Sequence, residues 1–490
     1  MKKWFVGYGW SAVLAFVGAA ALGCSDEGGG GGDADAGVID PCEDPHAWCE
    51  FGRDPENSRH NGAETAISTD NVDQLELAWE FPAEGSGETF GCTSTPMVAD
   101  GTVYVGTWAG DVAALDAQTG EVQWRSEVQG PVDSTVAVTT DRVYASDGAG
   151  FVHALRRSDG HILWTTEADP TNEYVHMYSS PRYIEDADLI VVGVASIEVA
   201  IPGLEDYTFR GSVLALDAET GAEEWRVRLA EDDETSGAGV SVWSTVAVDS
   251  ERKMVFIGTG QSYEEPASEY SDALVAIDYE SGELMWSRQF TEDDVFTIFG
   301  EQIGPDWDVG ASPNLFQIDG EDVVGVADKR GVYSAMDRET GQDVKWATML
   351  GPGSELGGVM STAVYHDGVI YVASNEWAEG GQGDYELEGN MAHLWALDAA
   401  SGDEVWQEDI PSPNFGALTM ANGVLYVPTI TGELYAIDAA DGSVRGMIEG
   451  LEDMGGGVSV SDGMVYVPHG FEFFADASAA EGGLRAYRLP

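Results

Sequence analysis

A single pattern recurs along this 490-residue chain and decides what it can fold into. An apolar strand leads into Ala-Leu-Asp or a close variant, then a short polar turn ending in Gly, and three or four residues later a Trp. The copies are ALDAQTGEVQW (114–124), ALRRSDGHILW (154–164), ALDAETGAEEW (215–225), AIDYESGELMW (276–286), AMDRETGQDVKW (335–346) and ALDAASGDEVW (396–406). A seventh, AIDAADGSVRG (436–446), has Gly446 where the Trp would stand. Before the copies lie second strands of alternating type, such as GTVYVGTWAG, GVIYVASNE and GVLYVPTIT, each reached through a Gly-containing turn. Strand, tight turn and strand at this period, with no amphipathic helical stretch between, specify an all-β repeat architecture.

With Trp79 in LELAWEF, the equivalent points number eight: 79, 124, 164, 225, 286, 346, 406 and 446. LELAWEF is a Trp strand lacking its predecessor, and LRAYRL near the C-terminus is a strand lacking its Trp partner. These halves are expected to pair and complete an eighth blade, because closure removes the exposed sheet edge of a linear array. The expected fold is an eight-bladed β-propeller closed by its N- and C-terminal strands. Spacings of 60 or 61 residues lengthen blades three to six, and insertions in propellers gather on one face, often the binding face. The repeated Trp, Asp and Gly are read as packing and turn residues, with Gly supplying a backbone conformation others resist.

Charge removes whole classes of partner. The chain carries 22 Lys plus Arg against 87 Asp plus Glu, a formal net charge of -65. Nucleic-acid binding needs clustered cations to neutralise phosphate, and docking on an anionic membrane needs a basic face, so both are excluded. An apolar fraction of 43%, with 15 Trp, 16 Phe and 18 Tyr, is ample for a folded core. Only five Lys occur, at 2, 3, 253, 329 and 345, which leaves a carboxylate-dominated surface suited to concentrated salt.

Lys2 and Lys3 precede an apolar run from Trp4 to Gly23, followed by Cys24, Ser25 and a Gly-rich acidic stretch. The segment 1–23 reads as a secretory signal peptide, and Ala21-Leu22-Gly23-Cys24 resembles a bacterial lipobox, with Cys24 as the lipidated residue. An uncleaved membrane helix is the other reading of the run. Ser25 after the Cys is similar to an outer-membrane sorting signal, so the expected place is the bacterial cell envelope, lipid-anchored in the outer membrane. Residues 24–50 are expected to form an acidic Gly-rich tether with a small disulfide loop between Cys42 and Cys49, leaving Cys92 free. The propeller is assigned to 51–490. No C-x-x-C-H haem site and no C-x-x-C knuckle occurs, and the eight His are scattered singly.

Further segments narrow the resemblance: GRDPENSR (52–59), TWAGDVAALDA (107–117), TFRGSVLALDAETG (208–221), VWSTVAVD (242–249) with GTGQ (258–261), DWDVGASP (306–313) and DKRGVYSAMDRETG (328–341). Taken with the tryptophan-docking repeat, they resemble the pyrroloquinoline quinone (PQQ) dependent alcohol dehydrogenases, especially the polyvinyl alcohol dehydrogenase group, from about Phe51 to the C-terminus. The resemblance implies oxidation of an alcohol or polyol with PQQ and Ca²⁺. It makes Trp243 the indole that stacks the quinone, Asp308 the general base with Asp306 as the alternative, and Lys329 the cation at the quinone oxygens. It also makes Ser196 a cofactor contact and Glu198 and Gln261 the metal ligands. Read without the family, Lys329 faces an anionic ligand, neutralises Asp306 and Asp308, or pairs with Asp328.

Several positions depart from that family. Asp206-Tyr207 replaces an adjacent-cysteine pair, Gln261 replaces a metal-binding Asn, Asp133 stands where an Arg is expected, Thr93 where a Glu is, and Tyr178 where a Thr is. An Asp in place of Arg beneath a tricarboxylate exchanges attraction for repulsion. With no haem site in this sequence, electrons are expected to leave to a separate acceptor. Two other functions fit the repeat: a non-catalytic propeller lipoprotein acting as an outer-membrane scaffold, and a polyol- or polysaccharide-binding propeller.

Overall fold

The structure is a computed structural model that describes residues 40–85, 88–231, 235–300, 303–377, 389–470 and 482–490. The expected signal peptide, Cys24 and the first part of the tether lie outside the described residues. Eight antiparallel sheets follow in chain order. Blade one consists of Met97–Ala99, Thr102–Thr107, Asp111–Asp116 and Val122–Glu127. Blades two to seven repeat the meander at 137–167, 182–228, 247–289, 314–349, 364–410 and 419–448. Blade eight joins Ser459–Ser461, Met464–His469 and Gly483–Arg488 to Glu76–Gly85, with Trp79 opposite Ala486 and Phe81 opposite Leu484. The terminal strands therefore close the ring as the sequence expects.

The repeat residues explain why blades stack. Trp79 lies over Gly120 of blade one, Trp124 over Gly160 of blade two, and so on to Trp406 over Gly442; a Cβ on any of these glycines would sit 2.4–2.8 Å from the indole or the side chain beside it. Each glycine also has φ near +70°, so both the turn and the docking require it. Six of the seven indoles donate to a backbone carbonyl of the next blade, as Trp79 Nε1 does to Ala117 at 3.1 Å and Trp346 Nε1 to Ala399 at 2.9 Å. The recurrent Asp closes its own turn: Asp217 Oδ1 accepts from Thr220 N at 2.7 Å, and Asp337 Oδ1 from Thr340 N at 2.9 Å. A register shift at the Ala of each copy, as between Ala114 and Leu115, bulges the fourth strand beside its Trp, where Gln123 is left without a partner residue. Gly446 has its own cause: the short 3-10 turn Val72–Gln74 covers it, and a Cβ there would meet Asp73 Cα at 3.2 Å.

Burial grades outward along each blade. Second strands such as Thr102–Thr107 and Leu189–Val194 are buried at every residue, whereas fourth strands such as Ile162–Glu167 alternate. First strands of neighbouring blades touch one another and ring the axis. Inside that ring runs the segment 48–61, which contains GRDPENSR and visits every blade in order. Trp48 pairs with Val98 of blade one, and Val138 N–H of blade two donates to Cys49 O at 2.8 Å. Arg182 of blade three reaches Asp54 O at 3.2 Å. Val248, Leu315, Tyr365 and Met420 then donate to the carbonyls of Pro55, Glu56, Ser58 and Arg59 at 2.8–3.1 Å, and Asn61 Nδ2 reaches Val460 O of blade eight at 2.7 Å. This segment fills the channel and pins all eight blades. A disulfide joins Cys42 to Cys49 at its start, and Cys92 is free and buried.

Candidate active site

In an antiparallel four-stranded blade, the turn between strands two and three and the connection to the next blade lie at the same end. Every candidate site residue falls on one of those two kinds of loop, so the fold gathers them at one end of the channel. Their height is set by a girdle of hydroxyls. Thr95 N–H donates to Thr135 Oγ1, Thr135 N–H to Ser180 Oγ, Ser180 N–H to Thr245 Oγ1, Thr245 N–H to Ser312 Oγ and Ser312 N–H to Thr362 Oγ1, all at 2.9–3.2 Å. Two residues upstream of successive girdle positions stand Thr93, Asp133, Tyr178, Trp243 and Gly310, hence at one level around the axis. Gly310 has no side chain because Trp243 needs its space: a Cβ there would lie 1.7 Å from Trp243 Cη2. The channel segment 48–61 crosses the first strands about three residues further along, roughly 10 Å below the girdle, so the site opens at one end only.

Lys329 organises the centre. It sits in the turn between the second and third strands of blade five, buried, with Nζ 3.0 Å from Asp306 Oδ2 and 2.8 Å from Asp308 Oδ2. It thus pairs with both aspartates of the DWD segment, while Arg330 is the residue that pairs with Asp328, donating from Nε at 2.9 Å. Nζ also lies 5.9 Å from the Trp243 ring centroid. Burial alone would strip the ammonium of its proton, but the two carboxylates outweigh it and hold its pKa above the ordinary lysine value. Asp306 is pushed up to about 8, by burial first and then by the charges of Asp308 and Asp294, against the pull of Lys329. Its Oδ1 has no partner, and its backbone is left-handed at φ 63°, a strained conformation for a residue with a side chain. Asp308 Oδ1 accepts from Gln261 N–H at 2.9 Å. Both aspartates are buried, 6% and 3% exposed, so this is an internal ion cluster rather than a solvated acidic loop.

Trp243 is only partly buried, with Gly310 against its six-membered ring and an ammonium beside it. That combination fits a flat anionic quinone. Ser196, on the loop after the second strand of blade three, accepts from Glu198 N–H at 2.9 Å and donates its own N–H to Ser241 Oγ at 3.1 Å. Ser241 Oγ in turn meets the buried Tyr263 hydroxyl at 2.7 Å.

Ca²⁺ fits less well. Glu198 Oε1 accepts from Asn172 Nδ2 at 2.6 Å and Thr208 Oγ1 at 3.1 Å, and Oε2 from the N–H groups of Thr208 and Phe209, both at 3.1 Å. Two donors per oxygen fill the carboxylate's acceptor capacity. Gln261 uses its side-chain amide to donate to Phe296 O at 3.3 Å. Among the described residues no three His, Cys, Asp or Glu side chains converge to hold a metal ion. In this structure Glu198 braces the 196–209 loop, and Gln261 holds Asp308 through its backbone N–H.

The remaining departures also acquire partners. Asp133 is hydrogen-bonded to His176 Nε2 from the connection before blade three, and the His176 ring packs 4.3 Å from Tyr178. The group facing Asp133 is thus an imidazole that the sequence offered only as a lone His. Thr93 Oγ1 donates to Asp133 O at 3.1 Å and accepts from Trp108 Nε1 at 2.9 Å. Tyr207, where a cysteine pair was expected, turns its ring edge to Tyr263 at 5.9 Å and its hydroxyl to Thr297 at 3.4 Å. Sequence reasoning missed His176, Tyr263, Asp272 and Asp294. The Ser-Thr or Ser-Ser pairs before first strands were the available sign of the girdle.

A closed ring of tryptophan-docked blades, with a buried lysine–aspartate cluster beside a partly open indole, defines a PQQ-type propeller. A family model, PQQ_2, described as outer membrane protein assembly factor BamB, matches residues 69–345, 209–383 and 329–445, and the chain belongs to that family. A polyvinylalcohol dehydrogenase from Pseudomonas sp is 28% identical over 427 residues, 80% of this chain and 66% of the relative. A second, from Sphingopyxis sp. (strain 113P3), is 25% identical over 395 residues, 73% of this chain and 58% of the relative. The chain thus matches less than two thirds of either relative's length. Among solved structures, the quinohemoprotein alcohol dehydrogenase ADHIIG from Pseudomonas putida HK5 superposes with a TM-score of 0.76 at 20% identity, covering 92% of this chain and 81% of that one.

Proposed function

We propose that this protein is a quinone-dependent oxidoreductase that oxidises an alcohol or polyol, with Asp308 as the general base. The observation that carries this reading is the Asp306–Lys329–Asp308 cluster set beside the partly buried Trp243. Such an arrangement costs a scaffold stability and serves it nothing, whereas a base needs an ionised carboxylate held in place. Trp243, Ser196 and Lys329 would hold PQQ. When bound, the quinone supplies the two-electron acceptor for the hydride leaving the alcohol carbon.

The chain's own residues do the rest. Asp308 accepts the hydroxyl proton, Gln261 N–H fixes the orientation of its carboxylate, and Lys329 pairs with its other oxygen. Asp306, uncharged at neutral pH by its raised pKa, contributes a hydrogen bond to Lys329 rather than a second negative charge. No step is assigned to Ca²⁺, because Glu198 is saturated by donors. Exposed Phe299, Ile303 and Tyr178 lie on loops at this end and suit an alcohol with a hydrocarbon backbone, and the names of the two polyvinylalcohol dehydrogenases support the same substrate class. Export and lipid anchoring at Cys24 are part of the proposal, supported by the N-terminal sequence and by a disulfide that suits an oxidising compartment. The electrons would pass to a separate acceptor.

Purified protein incubated with PQQ should show saturable quenching of tryptophan fluorescence and alcohol-dependent dye reduction. Asp308→Asn should retain the quenching and lose turnover by at least about 100-fold. No saturable quenching, with or without added Ca²⁺, would reject the enzyme and favour the scaffold that the family model's description names.

A further inference from the structure

Behind Asp308 stands a carboxyl group that this chemistry leaves unused. Asp272 immediately precedes the third strand of blade four, Ala273–Asp278, with φ 50°. It is fully buried, and neither carboxyl oxygen has a hydrogen-bond partner. Its backbone is fixed at both ends: its N–H donates to Gly260 O at 3.1 Å, and its carbonyl accepts from Phe290 N–H at 2.9 Å. Gly260 is also the residue against which Asp308 packs, since a Cβ there would lie 3.1 Å from Asp308 Oδ1. The charged groups acting on Asp272 are Asp294, Asp308 and Asp306, in decreasing order, all of its own sign, and the Ser271 hydroxyl opposes them only weakly. Lys329 is engaged by Asp306 and Asp308.

We propose that Asp272 is a retained neutral carboxylic acid that sets the charge of the cluster, a positioning residue whose proton leaves Asp308 as the anion facing Lys329. The inference rests on Asp308 being the base. With all four aspartates ionised, one ammonium would leave three uncompensated negative charges in a buried space, which desolvation forbids. Asp294 is the better placed to stay ionised, because its two oxygens accept from Asp306 N–H at 3.2 Å and Trp307 N–H at 2.8 Å. Asp272 has no such donors, and burial together with the three like charges pushes its pKa well above the ordinary carboxylate value.

Asparagine is the isostere of the neutral acid, so Asp272→Asn is the test. Infrared difference spectra of wild type minus variant at pH 7 should show one protonated carboxyl C=O band, shifted in D2O, that the variant lacks. Thermal melts should show the variant gaining on wild type as pH rises from 5 to 8, since a folded pKa raised above the unfolded one costs stability increasingly over that range. The acid limb of kcat/KM should stay where it is. Should Asp272→Asn fail to fold, the same band must persist at pH 7 in Asp306→Asn. Absence of the band, a melting gap constant with pH, or an acid limb moved down by about one unit, as loss of an ionised neighbour would do, overturns the proposal. The infrared and melting experiments need neither quinone nor substrate, so they fail or hold independently of the assignment of Asp308.

Discussion

Lys329→Met removes the one cation among four buried aspartates, and its cost can be worked from the geometry. At 2.8 Å from Asp308 and an effective dielectric of about 20, the attraction is about 6 kcal/mol before desolvation of the ammonium is subtracted. Breaking a buried pair on one side only leaves the partner uncompensated, which in practice costs about 3–5 kcal/mol. Asp306, held near pKa 8, is largely neutral at pH 7, so Asp308 is the partner that loses most. The penalty should depend on pH with a definite sign. Lys329 is protonated in the folded and unfolded chain alike at any pH below about 10, so it contributes no slope of its own there. In the variant the cluster's buried carboxylates lose their counter-charge, and burying a charge without a partner is costly. That cost is absent where the carboxylates are protonated, near pH 4, and grows as pH rises. Urea or thermal unfolding of wild type and variant at half-unit steps from pH 4 to 8 measures this directly. The gap should be near zero at pH 4 and reach the full value by about pH 7. A gap of equal size at every pH would mean that Lys329 contributes packing alone, and the charge assignment of the cluster would be wrong.

Two further outcomes follow from the same geometry. Gly310→Ala places a methyl 1.7 Å from the Trp243 ring, so the indole must swing out of its seat; stability should fall by about 1–3 kcal/mol and quinone-dependent fluorescence quenching should weaken at least tenfold, and a variant that binds normally would show that Trp243 is not the stacking plane. With a net charge of -65, wild-type melting should rise by several degrees between low salt and 1 M KCl, where the screening length is about 3 Å, while the Lys329→Met penalty at pH 7 should change little because that cluster is buried; an unchanged melting point would remove salt adaptation from the account.

The repeat was legible because its cause is local. In most copies Asp closes a turn on the backbone N–H and hydroxyl three residues later, Gly takes the left-handed position, and Trp needs that same Gly of the next blade as its seat, so the copies keep nearly one spacing. Closure by LELAWEF and LRAYRL followed from what each lacked. Asp306, Asp308, Lys329 and Trp243 could be named because they sit within compact segments, and the structure brings all four together. The residues that escaped are those whose meaning depends on distant chain. His176 gains a role only where Asp133 faces it from 43 positions away. Asp272 and Asp294 look like two more acids among 87 until burial removes the water that makes the other acids ordinary. The hydrogen-bond surroundings of Glu198 were hidden for a related reason: its four donors come from Asn172, Thr208 and Phe209, which only the folded loop brings to it.

The channel segment and the girdle together explain how an acidic chain can keep so demanding a cluster. A group of four aspartates and one lysine is stable only if none of its members can relax toward water, so the loops bearing them must be fixed from below. The 48–61 segment does this by bonding to all eight first strands, and the hydroxyl girdle repeats it one layer higher by tying each first strand to the next across blades one to six. Arg59, fully buried in that segment, shows the same economy: its Nε donates to Leu418 O at 2.6 Å and its Nη2 to Thr419 Oγ1 at 3.0 Å, so it spends its donors on backbone and hydroxyl rather than on any of the abundant acids. Burial lowers its pKa to about 9, still charged at neutral pH. The strain at Asp306 and the partnerless oxygens of Asp272 therefore sit on the most rigidly tethered part of the molecule, where preorganised charge is of use to a reaction and hardest to maintain otherwise.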